Sequence, residues 1–247
     1  MLTHLAHQGL IKISGAQSQQ FLQGQLTCDL NEATPEHSLL GAYCDHKSRI
    51  LTDFRLYYDG QDYYLVLNRF LLEKTMARLK KYAVFSKVNV EDCSDKSYEN
   101  SGFDLTAQAA TDRWKLENIM AGIPTIYPQT SELFTPHMIN YHLINGVSFN
   151  KGCFVGQEVI ARTQHLGKLK RHMYRLQVIS DKRPEPGDPV FSNQQEVGTV
   201  VDASPDPQLP SGYQLLAVIH DEKFIEQGLS LTPNGAPLSL QSLPYTW

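Results

Sequence analysis

The dipeptide Asp59-Gly60 constrains this fold more tightly than any other pair of residues in the chain. It separates two alternating runs: 49–58, which sets Ile50, Phe54, Leu56 and Tyr58 on one face, and 62–67. Asp-Gly between alternating segments is the strongest short-range signal of a β-hairpin. The flanking chain reads consistently around it. Residues 9–14 form a strand broken by Gly15, 16–25 a helix burying Phe21 and Leu22, and 39–44 a short strand. Asn68 caps a helix over 70–82, where Leu71, Leu72, Thr75, Met76 and Leu79 recur at helical spacing, and 86–90 returns as a strand. The order β-α-β-β-β-α-β predicts an α+β layer, with helices packed on a largely antiparallel sheet.

Residues 91–112 are polar and acidic, and read as a connector with a helix starting near Thr106. A helical stretch over 114–121 is stopped by Gly122 and Pro124, 128–136 reads as a loop, and Asn145-Gly146 as a turn. A helix over 157–165 ends at Gly167, and 170–180 reads as a strand. Beyond it, prolines and glycines punctuate short strands at 197–201, 214–220 and 229–232, the pattern of a small barrel or sandwich. We therefore expect two regions, 1–167 and 168–247.

The net charge of −4 argues against wholesale nucleic-acid binding, although basic stretches remain around Lys80, Lys81 and Lys87, and at Lys168, Lys170, Arg171 and Arg175. Each reads first as a solvated face. No run approaches the 18 or so apolar residues of a membrane span, and the N-terminus lacks a secretory pattern. Cys28, Cys44, Cys93 and Cys153 form no C-x-x-C pair, which suits a reducing cytoplasm better than a disulfide framework or zinc site. His4 with His7, and His137 with His142, lack a matching acid cluster, so no metal is expected.

The most distinctive segment is 151–158, Lys-Gly-Cys-Phe-Val-Gly-Gln-Glu. Gly152 and Gly156 permit a tight turn and close approach. Gln157 opens the helix behind the cysteine, and Glu158 and Arg162 fall at i,i+4 on one face. A cysteine ahead of a helix N-terminus and beside Lys151 is biased toward the thiolate. A buried structural cysteine in a glycine turn is the competing reading.

The chain resembles the YgfZ family, folate-binding proteins of iron–sulfur cluster biogenesis and tRNA modification, which are relatives of the glycine-cleavage T-protein. The segments that carry the resemblance are 21–29 (FLQGQLTCD), 41–45 (GAYCD), 80–88 (KKYAVFSKV), 121–124 (AGIP), 146–149 (GVSF) and 151–162 (KGCFVGQEVIAR). It implies a T-protein-like (GcvT-like) α+β body with a C-terminal β-barrel, a central tetrahydrofolate pocket lined by Trp114, and a functional Cys153 beside that pocket. Lys151 would keep the thiol anionic, with Gly152, Gly156, Gln157, Glu158 and Arg162 in support. Gln23, Gln25 and Asn140 are candidates to hydrogen-bond the folate, with helix-end and turn capping as their ordinary role. The family's second pocket tryptophan is absent, and Gln8 stands near its position. The region 93–112 is shorter than in longer members. The T-protein's Asp-Asp pair is Thr52-Asp53 here, and its R-L-E-A-G helix end is Asn118 to Gly122. These changes imply an accessory role in assembly or repair of iron–sulfur enzymes, tRNA-thiolating ones included, with those enzymes or assembly proteins as partners. The thiol would form a mixed disulfide, take up sulfur or iron transiently, or join a shared site. A folate-dependent one-carbon enzyme of the aminomethyltransferase or demethylase type is the alternative, and direct tRNA contact a weaker third.

Overall fold

Asp59 builds the hairpin that the sequence marks. Its Oδ1 accepts from the backbone N–H of Gln61 and Asp62 at 2.9 and 2.7 Å, and its Oδ2 from the Tyr64 hydroxyl at 2.8 Å. Gly60 has a φ of 95°, a left-handed value that costs a residue without Cβ nothing. Strands β3 (Ile50–Tyr58) and β4 (Tyr63–Asn68) leave this turn antiparallel, with Tyr58 opposite Tyr63. The computed structural model describes residues 7–94, 108–167, 169–220 and 223–246. His4, the helix start expected near Thr106, Lys168 and Trp247 lie outside the described residues.

The hairpin belongs to a five-stranded antiparallel sheet of order β2-β3-β4-β1-β5, completed by β1 (Gln8–Ser14), β2 (Leu39–Cys44) and β5 (Asn89–Asp92). One face carries Tyr43, Phe54, Leu56 and Leu65, and is covered by α1 (Ser18–Gln23) and α2 (Leu72–Ala83). Two glycines make this closure possible. A Cβ on Gly9 would overlap the Leu72 side chain, and one on Gly41 would lie 2.7 Å from the Phe54 ring and 2.8 Å from Cys28 Sγ. β5 starts later than the sequence suggests, because Ser86 and Val88 are tied into a tight turn by a 2.9 Å backbone hydrogen bond.

The C-terminal region is a closed six-stranded barrel of order β10-β11-β6-β9-β8-β7. Its strands are β6 (His172–Ile179), β7 (Pro189–Ser192), β8 (Gln195–Pro205), β9 (Gly212–Ile219), β10 (Leu229–Ser230) and β11 (Pro237–Gln241). The prolines at 189 and 237, which read as loop punctuation, are first residues of strands, where no ladder donor is required. The unbroken apolar run of β9 follows from burial on both sides. Leu215, Ala217 and Ile219 fill the barrel, while Leu216 and Val218, with Met173 and Val201, join the core of the first sheet.

Helix α3 (Gln108–Met120) packs against β8 and β9 of the barrel. A register shift between Val200 and Asp202 marks a bulge in β8, a device that re-aims side chains. The fully buried Asp202 carboxylate meets Lys115 of α3 at 3.2 Å and accepts from the Tyr127 hydroxyl at 2.9 Å. Arg183 also holds Asp112 at 2.7 Å, and the Ser204 hydroxyl donates to the Asp112 carbonyl at 2.7 Å. Removing one partner of a buried pair leaves an uncompensated charge. Lys115→Met is expected to cost about 3 kcal/mol, or roughly 6–12 °C in Tm by calorimetry. An unchanged Tm would show that the pair contributes nothing.

Candidate functional site

A cleft of about 350 Å³ opens between α3 and the sheet face opposite α1 and α2. Strand periodicity decides what faces it. Asp53, Arg55 and Tyr57 of β3 line the cleft, while the alternating position Thr52 is buried on the other side. Trp114, Glu117 and Asn118 of α3 form the opposite wall. Trp114 thus faces the sheet across the cleft. Gln8 lines the cleft as well, and its neighbour His7 packs on Trp114 with ring centroids 4.7 Å apart. His7 Nδ1 lies 3.2 Å from the Thr111 hydroxyl. An imidazole therefore braces the indole where the resemblance leads one to look for a second tryptophan.

Asp53 is the most perturbed group of the cleft. It accepts from the Ile126 N–H at 2.8 Å and from the Tyr141 hydroxyl at 3.4 Å. Burial, reinforced by the charge of Asp202, pushes its carboxyl up to about 7 against these two donors. The mouth is charged: Arg55 lines it, and Arg113 pairs with Glu117 at 3.0 Å on the exposed edge of α3.

The three amides proposed as folate ligands lie elsewhere. Gln23 donates to Asp29 at 2.7 Å and accepts from the Leu30 N–H at 2.9 Å, so it caps the turn after α1. Gln25 accepts from the Tyr43 hydroxyl at 3.4 Å. Asn140, fully buried with a φ of 59°, donates to the Met173 carbonyl at 2.8 Å and ties the barrel to the body. None of the three lines the cleft. Gln23 is engaged through both ends of its amide, Asn140 through its nitrogen and Gln25 through its oxygen.

Cys153 is exposed, and is not among the residues that line the cleft. The expected support from Lys151 takes another form. Its buried ammonium donates to the carbonyls of Leu26 and Cys28 at 2.8 and 2.7 Å and lies 5.2 Å from the Phe154 ring centroid. Burial lowers it to about 8, and Cys28 and Asp29 oppose that shift. Lys151 staples the 26–28 segment in place of pairing with the thiol. Gly156 is demanded by the backbone, with a φ of 84° and the Asp45 carbonyl 2.7 Å from where a Cβ would be. Its carbonyl accepts from the Ser48 hydroxyl at 2.6 Å, and it caps α4 (Gln157–Leu166). Gly152 faces open space, with nothing within 4 Å of a built Cβ. Glu158 and Arg162 are both exposed and form no ion pair with each other.

Asp53 generates a pH signature. Its folded pKa lies above the ordinary value of 3.8, so its contribution to stability is complete below about pH 4 and is lost as pH rises through about 7. Asp53→Asn, which still accepts from Ile126, should match the parent near pH 4 in urea unfolding and exceed it at pH 8 by up to about 4 kcal/mol. A difference that does not vary with pH would refute the burial account.

The chain is 28% identical to the tRNA-modifying protein YgfZ of Escherichia coli O157:H7 (strain EC4115 / EHEC), over 96% of this chain and 90% of that one. The YgfZ protein of Aliivibrio fischeri (strain MJ11) is 29% identical, over 85% of this chain and 81% of its own length. No family model matches. Among solved structures, the glycine cleavage system aminomethyltransferase T from Bartonella henselae superposes with a TM-score of 0.71 at 17% identity, covering 97% of this chain and 84% of that one. The resemblance carried by the sequence motifs therefore holds: the chain is similar to the YgfZ proteins over most of its length and has the fold of the glycine-cleavage aminomethyltransferase.

Proposed function

We propose that this chain is a tetrahydrofolate-binding accessory protein that supports assembly or repair of iron–sulfur enzymes, tRNA-modifying ones among them, with Cys153 as its reactive group. The cleft carries the proposal. A pterin needs a flat apolar face, polar partners along its edge, and cations for the glutamate tail. Trp114 braced by His7 supplies the face, Asp53, Gln8 and Asn118 the edge groups, and Arg55 and Arg113 the cations. At about 350 Å³ the cleft suits a bicyclic ring with its tail leading outward. The aminomethyltransferase fold supports the folate assignment, and the name of the YgfZ relatives supports the link to tRNA modification. The exposure of Cys153 outside the cleft supports a thiol that meets another protein.

Asp53 favours a second reading. A carboxyl titrating at about 7 is suited to proton transfer at neutral pH, as a folate-dependent one-carbon enzyme would require. Turnover separates the two: methylene-tetrahydrofolate formed from an aminomethyl donor, insensitive to Cys153→Ala, would establish the second.

Trp114 is the one tryptophan among the described residues. Titration with tetrahydrofolate should quench its emission saturably. By calorimetry, Trp114→Phe should bind roughly ten-fold more weakly, about 1.4 kcal/mol; equal affinity would remove the indole from the site. In a strain deleted for the protein, Cys153→Ala should fold normally yet fail to restore iron–sulfur enzyme activity. Full complementation would end the cysteine role while leaving folate binding intact.

A further inference from the structure

A second groove runs along helix α2, on the sheet face away from the cleft. A groove of about 310 Å³ has Tyr43 and Leu51 at its base and Lys74, Arg78 and Lys81 along the helix. The Arg78 guanidinium is sandwiched 5.7 Å from the centroids of Tyr43 and Tyr82. Lys74 is paired with Glu132 at 2.7 Å. Arg78, Lys80, Lys81 and Lys87 have no ion-pair partner among the described residues. Just beyond the helix, Val84 and Phe85 are 69% and 98% exposed. The core explains the inward positions Leu72, Thr75, Leu79 and Ala83. It explains neither a fully exposed phenylalanine nor four cations between residues 78 and 87 of the same segment, on a chain whose net charge is −4.

We propose that this face binds a single-stranded segment of nucleic acid, with phosphates on the cations of α2 and the 80–87 segment and an unstacked base on Phe85. Cations alone would suit any polyanion, and an exposed aromatic alone would suit an apolar protein surface. The two interleaved match a strand whose backbone is anionic and whose bases are free to stack. Charge complementarity is local, so the binding belongs to this patch and not to the chain at large. The groove also communicates with the cysteine loop. Tyr43 donates to Gln25, and the adjacent Gly24 carbonyl accepts from the Val155 N–H at 3.2 Å, two residues from Cys153. The inference stands apart from the folate reading and uses none of its residues.

Fluorescence anisotropy with a labelled, unstructured RNA tests it. The full chain should bind at low salt and weaken as salt is raised. The double variant Lys81→Glu/Phe85→Ala, at two exposed positions, should bind roughly ten-fold more weakly or worse, with an unchanged urea midpoint. Lys170→Glu/Arg171→Glu, on the other basic stretch, should stay within about two-fold of the parent. The proposal is overturned if the chain does not bind RNA at low salt, if the Lys170/Arg171 variant loses as much affinity, or if polyglutamate displaces the label as well as unlabelled RNA does.

Discussion

The buried carboxylate of Asp202 holds this molecule in its working arrangement. A fully buried charge is tolerated only when it is paired and hydrogen-bonded. Lys115 and Tyr127 meet that requirement, and both belong to the N-terminal body. The barrel supplies the Ala203 N–H to this carboxylate at 2.8 Å, and docking against the body adds the cation and the phenol. Residues 114 and 115 are adjacent, so locking Lys115 into the barrel presents Trp114 to the cleft on the neighbouring side of the helix. The Asp112–Arg183 pair, one helical turn earlier, fixes the same helix a second time. The shape of the cleft is set by an interaction outside it.

The first sheet keeps two kinds of chemistry apart. Its cleft face holds Asp53, Arg55 and Tyr57, across from Trp114 of α3, with one carboxyl titrating near neutrality. Its other face is sealed by α1 and α2; α2 and the segment after it carry cations without an ion-pair partner among the described residues, and an exposed Phe85. Because successive residues of β3 point to opposite faces, Thr52 belongs to the core side and Asp53 supplies the carboxylate of the cleft.

Much of this was legible where local chemistry decides the outcome. Asp59-Gly60 fixes a turn through its own side chain, and the α2 apolar stripe follows from covering one sheet face. The hidden parts are those decided by distant neighbours. Prolines at 189 and 237 look like breaks until they prove to be edge-entry positions of strands. Helix α3 shows little amphipathic pattern, because the sheet and the barrel claim different sides of it, which masked its extent before Trp114. Gln23, Gln25 and Asn140 look like ligand groups in isolation, and Lys151 looks like a partner for the neighbouring thiol. Only the folded chain reveals that Asp29, Tyr43, Met173 and the 26–28 carbonyls take these groups instead. Asp53 stands out in sequence as half of the Thr52-Asp53 pair, yet nothing in sequence tells a solvated aspartate from one lifted to about 7.

The build of the 151–156 segment bears on what the cysteine is for. Lys151 is anchored to Leu26 and Cys28, Phe154 is buried, Val155 bonds Gly24, and Gly156 fits against Asp45 and Ser48. Between these anchors only Gly152 and Cys153 face outward. A structural cysteine would be the buried member of such a segment, as Cys28 and Cys44 are in theirs. Here the neighbours on both sides are pinned and the thiol is left exposed, held in place by contacts it does not make itself. A thiol presented in that way, away from the cleft, meets the steric requirement of the reactive role proposed for it.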